Sequence, residues 1–166
     1  MFEKLDTPEE VFSFKLGAAL KMENKVLEML GDLQEQTNRD EIRQLLAKHA
    51  GETREHIANI ERSFELLGEK PDDSPCPAIE GIEKEGKATL KKIDDSIADA
   101  GILASAIETE HHEIGVYEVL VTNAEARGAP EVAALLRKNL EQEQQTLDAV
   151  RTAAERIAHQ GYAVAA

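Results

Sequence analysis

A chain of 166 residues suits one domain that can bury a core without disulfide support, and with aromatics at 4% and no Trp that core must come from Leu, Ile, Val and Ala, which favours packed helices. Its 33 acidic and 19 basic residues give a formal charge of −14, which repels phosphate backbones and anionic membrane surfaces and argues against nucleic acid as a direct partner. The lone Cys76 excludes an internal disulfide and any Cys-x-x-Cys cluster, leaving only a link between chains, and with no leader-like start and no apolar run near about 18 residues the expectation is a cytoplasmic protein without a membrane span.

Thr7-Pro8-Glu9-Glu10 sets a capping threonine before proline at the first helical position and glutamate at the third, so a first helix is predicted from about residue 8 to about 36. Asn38 is read as the cap of a second helix over about 39–67, which Gly68 and Pro71 stop. The proline-rich stretch Glu69 to Pro77 is irregular, and Pro77 opens a short helix over about 77–94. A third long helix fits about 99–127 before Gly128, and Pro130 begins a fourth that runs to about 159, leaving Tyr162 to Ala166 as a loose tail. Two hairpins joined by a long crossover predict an all-α four-helix bundle of the ferritin-like kind, with residues 1–166 as a single domain. Gly17, Gly31, Gly51, Gly86 and Gly115 fall inside these helices, and close helix contacts are expected to offset their cost of up to about 1 kcal/mol each relative to Ala.

Advancing about 100° per residue gathers Phe12, Leu16, Ala19, Leu20, Val26, Leu27 and Leu30 into one band of the first helix, with Glu23 near its centre. In the second, Ile42, Leu45, Leu46, Ile60, Phe64 and Leu67 form the band, with His49 and His56 close to its midline and Glu52 at its edge. The next long helix aligns Leu103, Ala106, Tyr117, Leu120, Val121 and Ala124 with Glu110 and Glu113. The last sets Asn139, Glu143 and Thr146 among Val132, Leu135, Leu136, Val150, Ala153 and Ile157. A turn near residues 37 and 38 puts Glu23 level with Glu52, and one near Gly128 puts Glu113 within a turn of Glu143 at about 1.5 Å rise per residue.

Carboxylates gathered in a dry interior cost several kcal/mol each unless they take up protons or meet cations. Glutamate oxygens with one or two imidazoles suit iron or manganese, and five acidic side chains are most simply used by two bridged ions. The candidate ligands are Glu23, Glu52, His56, Glu110, Glu113 and Glu143, with His49 as a second candidate nitrogen donor and Tyr117 as a hydrogen-bonding neighbour. The alternative is a protonated or water-filled polar core in a structural or interaction module without redox activity.

The sequence also resembles the YciE/YciF-type bacterial stress proteins of the ferritin-like superfamily. The likeness rests on Phe64-Glu65-Leu66-Leu67-Gly68-Glu69-Lys70-Pro71, on Cys76-Pro77-Ala78-Ile79-Glu80-Gly81-Ile82, on Glu110-His111-His112-Glu113-Ile114 and on Leu140 to Asp148, and it spans about residues 8–155. It implies a ferritin-like bundle with an extra crossover helix, a homodimer, a two-metal site and a link to stress response. The superfamily pattern places a Glu-x-x-His pair on helices two and four. Here Glu52 precedes His56 by four positions, and Thr146 stands where a histidine would follow Glu143, so the chain departs from a full ferroxidase ligand set.

Overall fold

The computed structural model describes residues 4–72 and 74–164, with no side-chain description for 163 and 164. Five helices follow one another: α1 (Pro8–Gln36), α2 (Asp40–Leu66), α3 (Pro77–Leu90), α4 (Ala98–Ala126) and α5 (Pro130–Val164), with a 3-10 turn at Asp95–Ile97 ahead of α4. No strand occurs among the described residues.

Helix ends follow from local chemistry. Thr7 accepts from the Glu10 amide while the Glu10 carboxylate accepts from the Thr7 amide, so the capping box opens α1. Gly68 (φ 72°) and Gly128 (φ 74°) adopt the left-handed conformation that closes α2 and α4. Around each glycine the two amides of a Schellman motif are satisfied: Glu69 N–H donates to the Phe64 carbonyl (2.9 Å) and Gly68 N–H to the Glu65 carbonyl (3.0 Å), and Ala129 and Gly128 do the same for α4. The cap of α2 differs from the sequence expectation. Arg39 occupies that position without a side-chain hydrogen bond, because the Asn38 amide instead reaches 2.6 Å to the Asp95 carbonyl. Helix α5 also continues through Tyr162 to Val164 where a loose tail was expected; Ala165 and Ala166 lie outside the described residues. The crossover helix ends at Leu90, earlier than its periodicity suggested.

The α1–α2 and α4–α5 hairpins pack side by side, α1 against α4 and α2 against α5, and α3 lies across α1 and α4. Asp99, at the start of α4, accepts from the Thr37 hydroxyl (2.6 Å) and the Asn38 amide (3.2 Å), so α4 begins at the end of the bundle where α1 turns into α2. The crossover must therefore travel the length of the bundle, and α3 does so along the α1–α4 seam. This is the ferritin-like four-helix bundle with a short additional helix. Leu16, Met22, Ile60, Phe64, Ile79, Ile102, Leu103 and Leu136 fill its core. Of the five glycines that interrupt the predicted helices, two serve close approach: a Cβ on Gly17 would lie 2.8 Å from both the Asp72 carbonyl oxygen and Ser74 Oγ, and one on Gly86 2.7 Å from Ser105 Oγ; Gly101, in α4, likewise sits against the Ile93 and Leu90 side chains. Gly31, Gly51 and Gly115 meet nothing within 4 Å, so helix contacts do not account for them.

Candidate metal centre

Each long helix turns at least one acidic or imidazole side chain inward. Glu23 on α1, Glu110 and Glu113 on α4 and Glu143 on α5 are all buried, as are His49 and His56 on α2. The amphipathic stripes dictate this placement, since each of these residues replaces an apolar side chain in its band. His56 Nδ1 lies 2.9 Å from Glu143 Oε1 and 3.5 Å from Glu23 Oε1. On the other side, His49 Nε2 lies 3.0 Å from Glu110 Oε1 and 3.7 Å from Glu143 Oε2.

Two sets of potential ligand atoms result, each with its members within 4.8 Å of one another: His49, Glu110, Glu113 and Glu143 form one, and Glu23, His56 and Glu143 the other. Glu143 belongs to both, with Oε1 toward His56 and Oε2 toward His49. Buried polar atoms are ordinarily hydrogen-bonded. Here Glu23 Oε2, His49 Nε2, His56 Nδ1, Glu110 Oε2 and both oxygens of Glu113 and of Glu143 have no hydrogen-bond partner. The close His–Glu approaches lack hydrogen-bond alignment, and the unpartnered atoms converge on the same space. An oxygen-rich, thiolate-free set with two imidazoles fits a hard or borderline divalent ion, so the buried cluster can hold metal.

The electrostatics of the metal-free cluster agree with its chemistry. Burial, then the charges of Glu143, Glu23 and Glu110, pushes the Glu113 carboxyl well above the usual range. Burial likewise raises Glu143, against the opposing contact of His56, to about 8. For His56 burial alone would disfavour the charged ring, but the contacts and charges of Glu143 and Glu23 outweigh it and push the pKa up to about 10. His49 behaves the same way: burial opposes its charged form, yet Glu110 first, then Glu143 and Glu23, hold it above the ordinary value. Without cations the cluster must carry protons.

Around the cluster, Tyr117 is fully buried, donates to Glu23 Oε1 and accepts from Asn139 Nδ2 at 3.1 Å. Burial, with the negative charges of Glu23 and Glu143, raises its pKa well above the ordinary value, so the phenol keeps its proton. Thr146 Oγ1 stands 3.4 Å from His49 Nδ1. It stands where the family resemblance leads one to expect a histidine, and it meets an imidazole supplied by α2.

Glu52 takes a different place from the one its level suggested. Its side chain is 16% exposed and paired with Lys48 at 2.5 Å, and its nearest approach to the cluster is 3.9 Å from Oε2 to His49 Nδ1. The residue of α2 that meets Glu23 is His56, one turn farther along. Helical side chains lean toward their own N-terminus. In this antiparallel hairpin Glu23 therefore leans away from the turn while α2 side chains lean toward it, which offsets the meeting point by about a turn.

Sequence reasoning passed over Gln142, Glu55 and Asn59. Gln142 Oε1 is 2.9 Å from His56 Nε2, Gln142 Nε2 donates to Glu55 Oε2 (3.0 Å), and Lys138 pairs with Glu55 Oε1. Asn59 donates to Asn139 Oδ1 at 2.7 Å. The available signal was positional: Glu55 and Gln142 immediately precede His56 and Glu143 on facing helices.

The sequence profile of a domain of unknown function, DUF892, matches residues 7–163. The chain belongs to the DUF892 family. It is 30% identical over 144 residues to Protein YciF of Escherichia coli (strain K12), covering 86% of this chain and 87% of that one. Among solved structures, the E. coli stress protein YciF superposes with a TM-score of 0.88 at 28% identity, covering 93% of this chain and 99% of that one. YcfI from Rhodopseudomonas palustris, described as a candidate structural protein, superposes with a TM-score of 0.88 at 31% identity, covering 92% of this chain and 98% of that one. This DUF892 chain is thus similar to stress proteins of the YciF type. No helix among its described residues is long and apolar enough to cross a membrane.

Proposed function

We propose that this DUF892 protein is a cytoplasmic two-metal carboxylate protein of stress response. His49, Glu110, Glu113 and Glu143 would hold one ion and Glu23, His56 and Glu143 the other, with iron the preferred metal and manganese also suited to the oxygen-rich donor set. Glu52 is assigned to the rim, where it orients His49 through their shared neighbour Thr146. The single observation that carries the reading is Glu143, whose two unpartnered oxygens face the two half-sites separately.

A bound pair of such ions supplies Lewis-acid and redox chemistry toward small oxygen species such as dioxygen or peroxide. The protein's own part is to hold the ligands in a dry interior and to admit only small molecules. A small cavity of about 20 Å³, lined by Val26, Leu30, Leu45, Leu46 and Val150 together with His49 and Glu110, has room for about one water-sized molecule and suits a small uncharged species better than an ionic one. A homodimer is part of this reading, as the family likeness implies.

Elemental analysis and calorimetric titration of the chelator-treated protein with iron(II) or manganese(II) test this reading. About two ions per chain are expected for the native protein, and Glu143→Leu should weaken both half-sites. Absence of binding by the native chain, or unchanged stoichiometry and affinity in Glu143→Leu, rejects it. A second reading is favoured by Thr146, which removes the histidine expected on α5: the metal would then be purely structural. In that case chelation lowers the melting temperature, while the metal-loaded protein consumes peroxide no faster than free metal.

A further inference from the structure

The chain Lys138, Glu55, Gln142, His56 fixes a property of the cluster that its ligands alone leave open, namely which ring nitrogen of His56 carries the proton. Glu55 lies at the surface of α2 against Lys138, and an ionised carboxylate only accepts hydrogen bonds. The side-chain amide of Gln142 must therefore turn its NH2 group to Glu55 Oε2, 3.0 Å away, and that leaves its carbonyl oxygen 2.9 Å from His56 Nε2. A carbonyl oxygen only accepts, so Nε2 must donate. Nδ1, the nitrogen that faces Glu143 and Glu23 without a hydrogen-bond partner, is then the one left with a free lone pair in the neutral ring.

Other contacts hold the same ring. Asn139 Nδ2 donates to the His56 backbone carbonyl at 3.3 Å, and the Tyr117 ring meets the imidazole edge-on with centroids 6.0 Å apart. Neither of these touches Nε2. Among the described contacts Gln142 is the hydrogen-bond partner of Nε2, while Glu143 and Glu23 face Nδ1, and the orientation of Gln142 is set by Glu55.

We propose that Gln142, aligned by Glu55, is a positioning residue that places the His56 proton on Nε2 and so presents Nδ1 as a metal-binding nitrogen. The proposal rests on the two-metal reading given above and deepens it. It extends control of a buried ligand to a surface ion pair, because Lys138 and Glu55 set the amide that sets the ring. Partners of this kind typically change metal affinity by about 10–100-fold when removed.

The test uses full-length, 15N-labelled protein, with zinc(II) as a diamagnetic probe. In the native chain, long-range proton–nitrogen NMR should show His56 with a slowly exchanging Nε2–H before zinc is added, and metal on Nδ1 afterwards. Gln142→Leu, at a half-buried position that does not contribute to the core, should speed exchange of that proton and weaken zinc binding by about 10–100-fold. The exchanged pair Glu55→Gln with Gln142→Glu rebuilds an acceptor for His56 and a donor for residue 142, and should restore both readouts. A native His56 lacking the Nε2 proton, or a Gln142→Leu variant with native exchange and native affinity, overturns the proposal. If the native chain binds no zinc, manganese or iron, the two-metal reading fails, and a metal-free Nε2–H whose exchange ignores Gln142→Leu overturns the positioning role separately.

Discussion

Replacing Glu113 by Leu should stabilise the metal-free protein and destabilise its metal-loaded form relative to the native chain. Glu113 is fully buried, and neither carboxyl oxygen has a hydrogen-bond partner. Burial and the neighbouring carboxylates raise its pKa well above the usual range and favour the protonated form, whose cost is that of a neutral polar group without a partner. That cost is about 1–3 kcal/mol. Fitting a branched side chain of similar size takes back up to about 1.5 kcal/mol, which leaves a net gain near 1 kcal/mol. For a chain of this length such a gain raises the melting temperature by about 2–4 °C. Metal reverses the order. Saturating the native chain at about 100 times the dissociation constant adds about 2.7 kcal/mol per site, and a variant short of one ligand gains less at the same concentration. Calorimetric melts of both proteins, in chelator and in excess manganese(II), measure the two differences directly. A variant that melts lower than the native chain in chelator, or that gains as much from metal, would refute the reasoning.

Three further outcomes follow from the same geometry. Tyr117→Phe removes the donor to Glu23 Oε1 inside the core and should cost about 1–3 kcal/mol in the metal-free protein, seen as a lower urea midpoint at unchanged slope; an unaltered midpoint contradicts the contact. The metal-free protein should lose stability as pH rises. His56, raised from 6.5 to about 10, contributes stability that is complete below pH 6.5 and lost through pH 10, and Glu143, raised from 4.5 to about 8, adds to the loss as pH rises toward 8. Thermal melts in chelator between pH 6 and pH 10 check the sign, and a flat profile is the contrary result. Finally, Gly17→Ala should destabilise by about 1–3 kcal/mol, because its Cβ would press on the Asp72 carbonyl and Ser74, whereas Gly31→Ala, with open space around it, should gain up to about 1 kcal/mol; equal shifts in melting temperature for the two variants would contradict the crossover geometry.

Features governed by neighbours in sequence were the legible ones. The Thr7–Glu10 box and the glycine stops at Gly68 and Gly128 need only a few consecutive residues, and they appear as expected. The inward direction of Glu23, Glu110, Glu113 and Glu143 was also readable, because each interrupts a stripe whose period is set by the helix itself. What depends on two elements at once was harder. Pairing Glu23 with His56 instead of Glu52 requires knowing how side chains lean on antiparallel helices, which a projection of Cα positions omits. Asn38 resembles an ordinary cap until the Asp95 carbonyl, 57 positions away, captures its amide. Gln142 and Glu55 look like solvated surface residues, and only the facing helix reveals that one of them reaches a buried ring.

The course of α3 makes the two flanks of the cluster unequal. It roofs the seam between α1 and α4, while among the described residues no further helix covers the seam between α2 and α5. On that thinner wall stand Gln142 and the carboxylates of Glu52 and Glu55, all partly open to water. On the α2–α5 side the cluster is therefore flanked by Glu52 and Glu55, each paired with a lysine, and by no covering helix, whereas a whole additional helix lies on the opposite side. If the cluster takes up ions as proposed, the α2–α5 wall is the less covered of its two flanks.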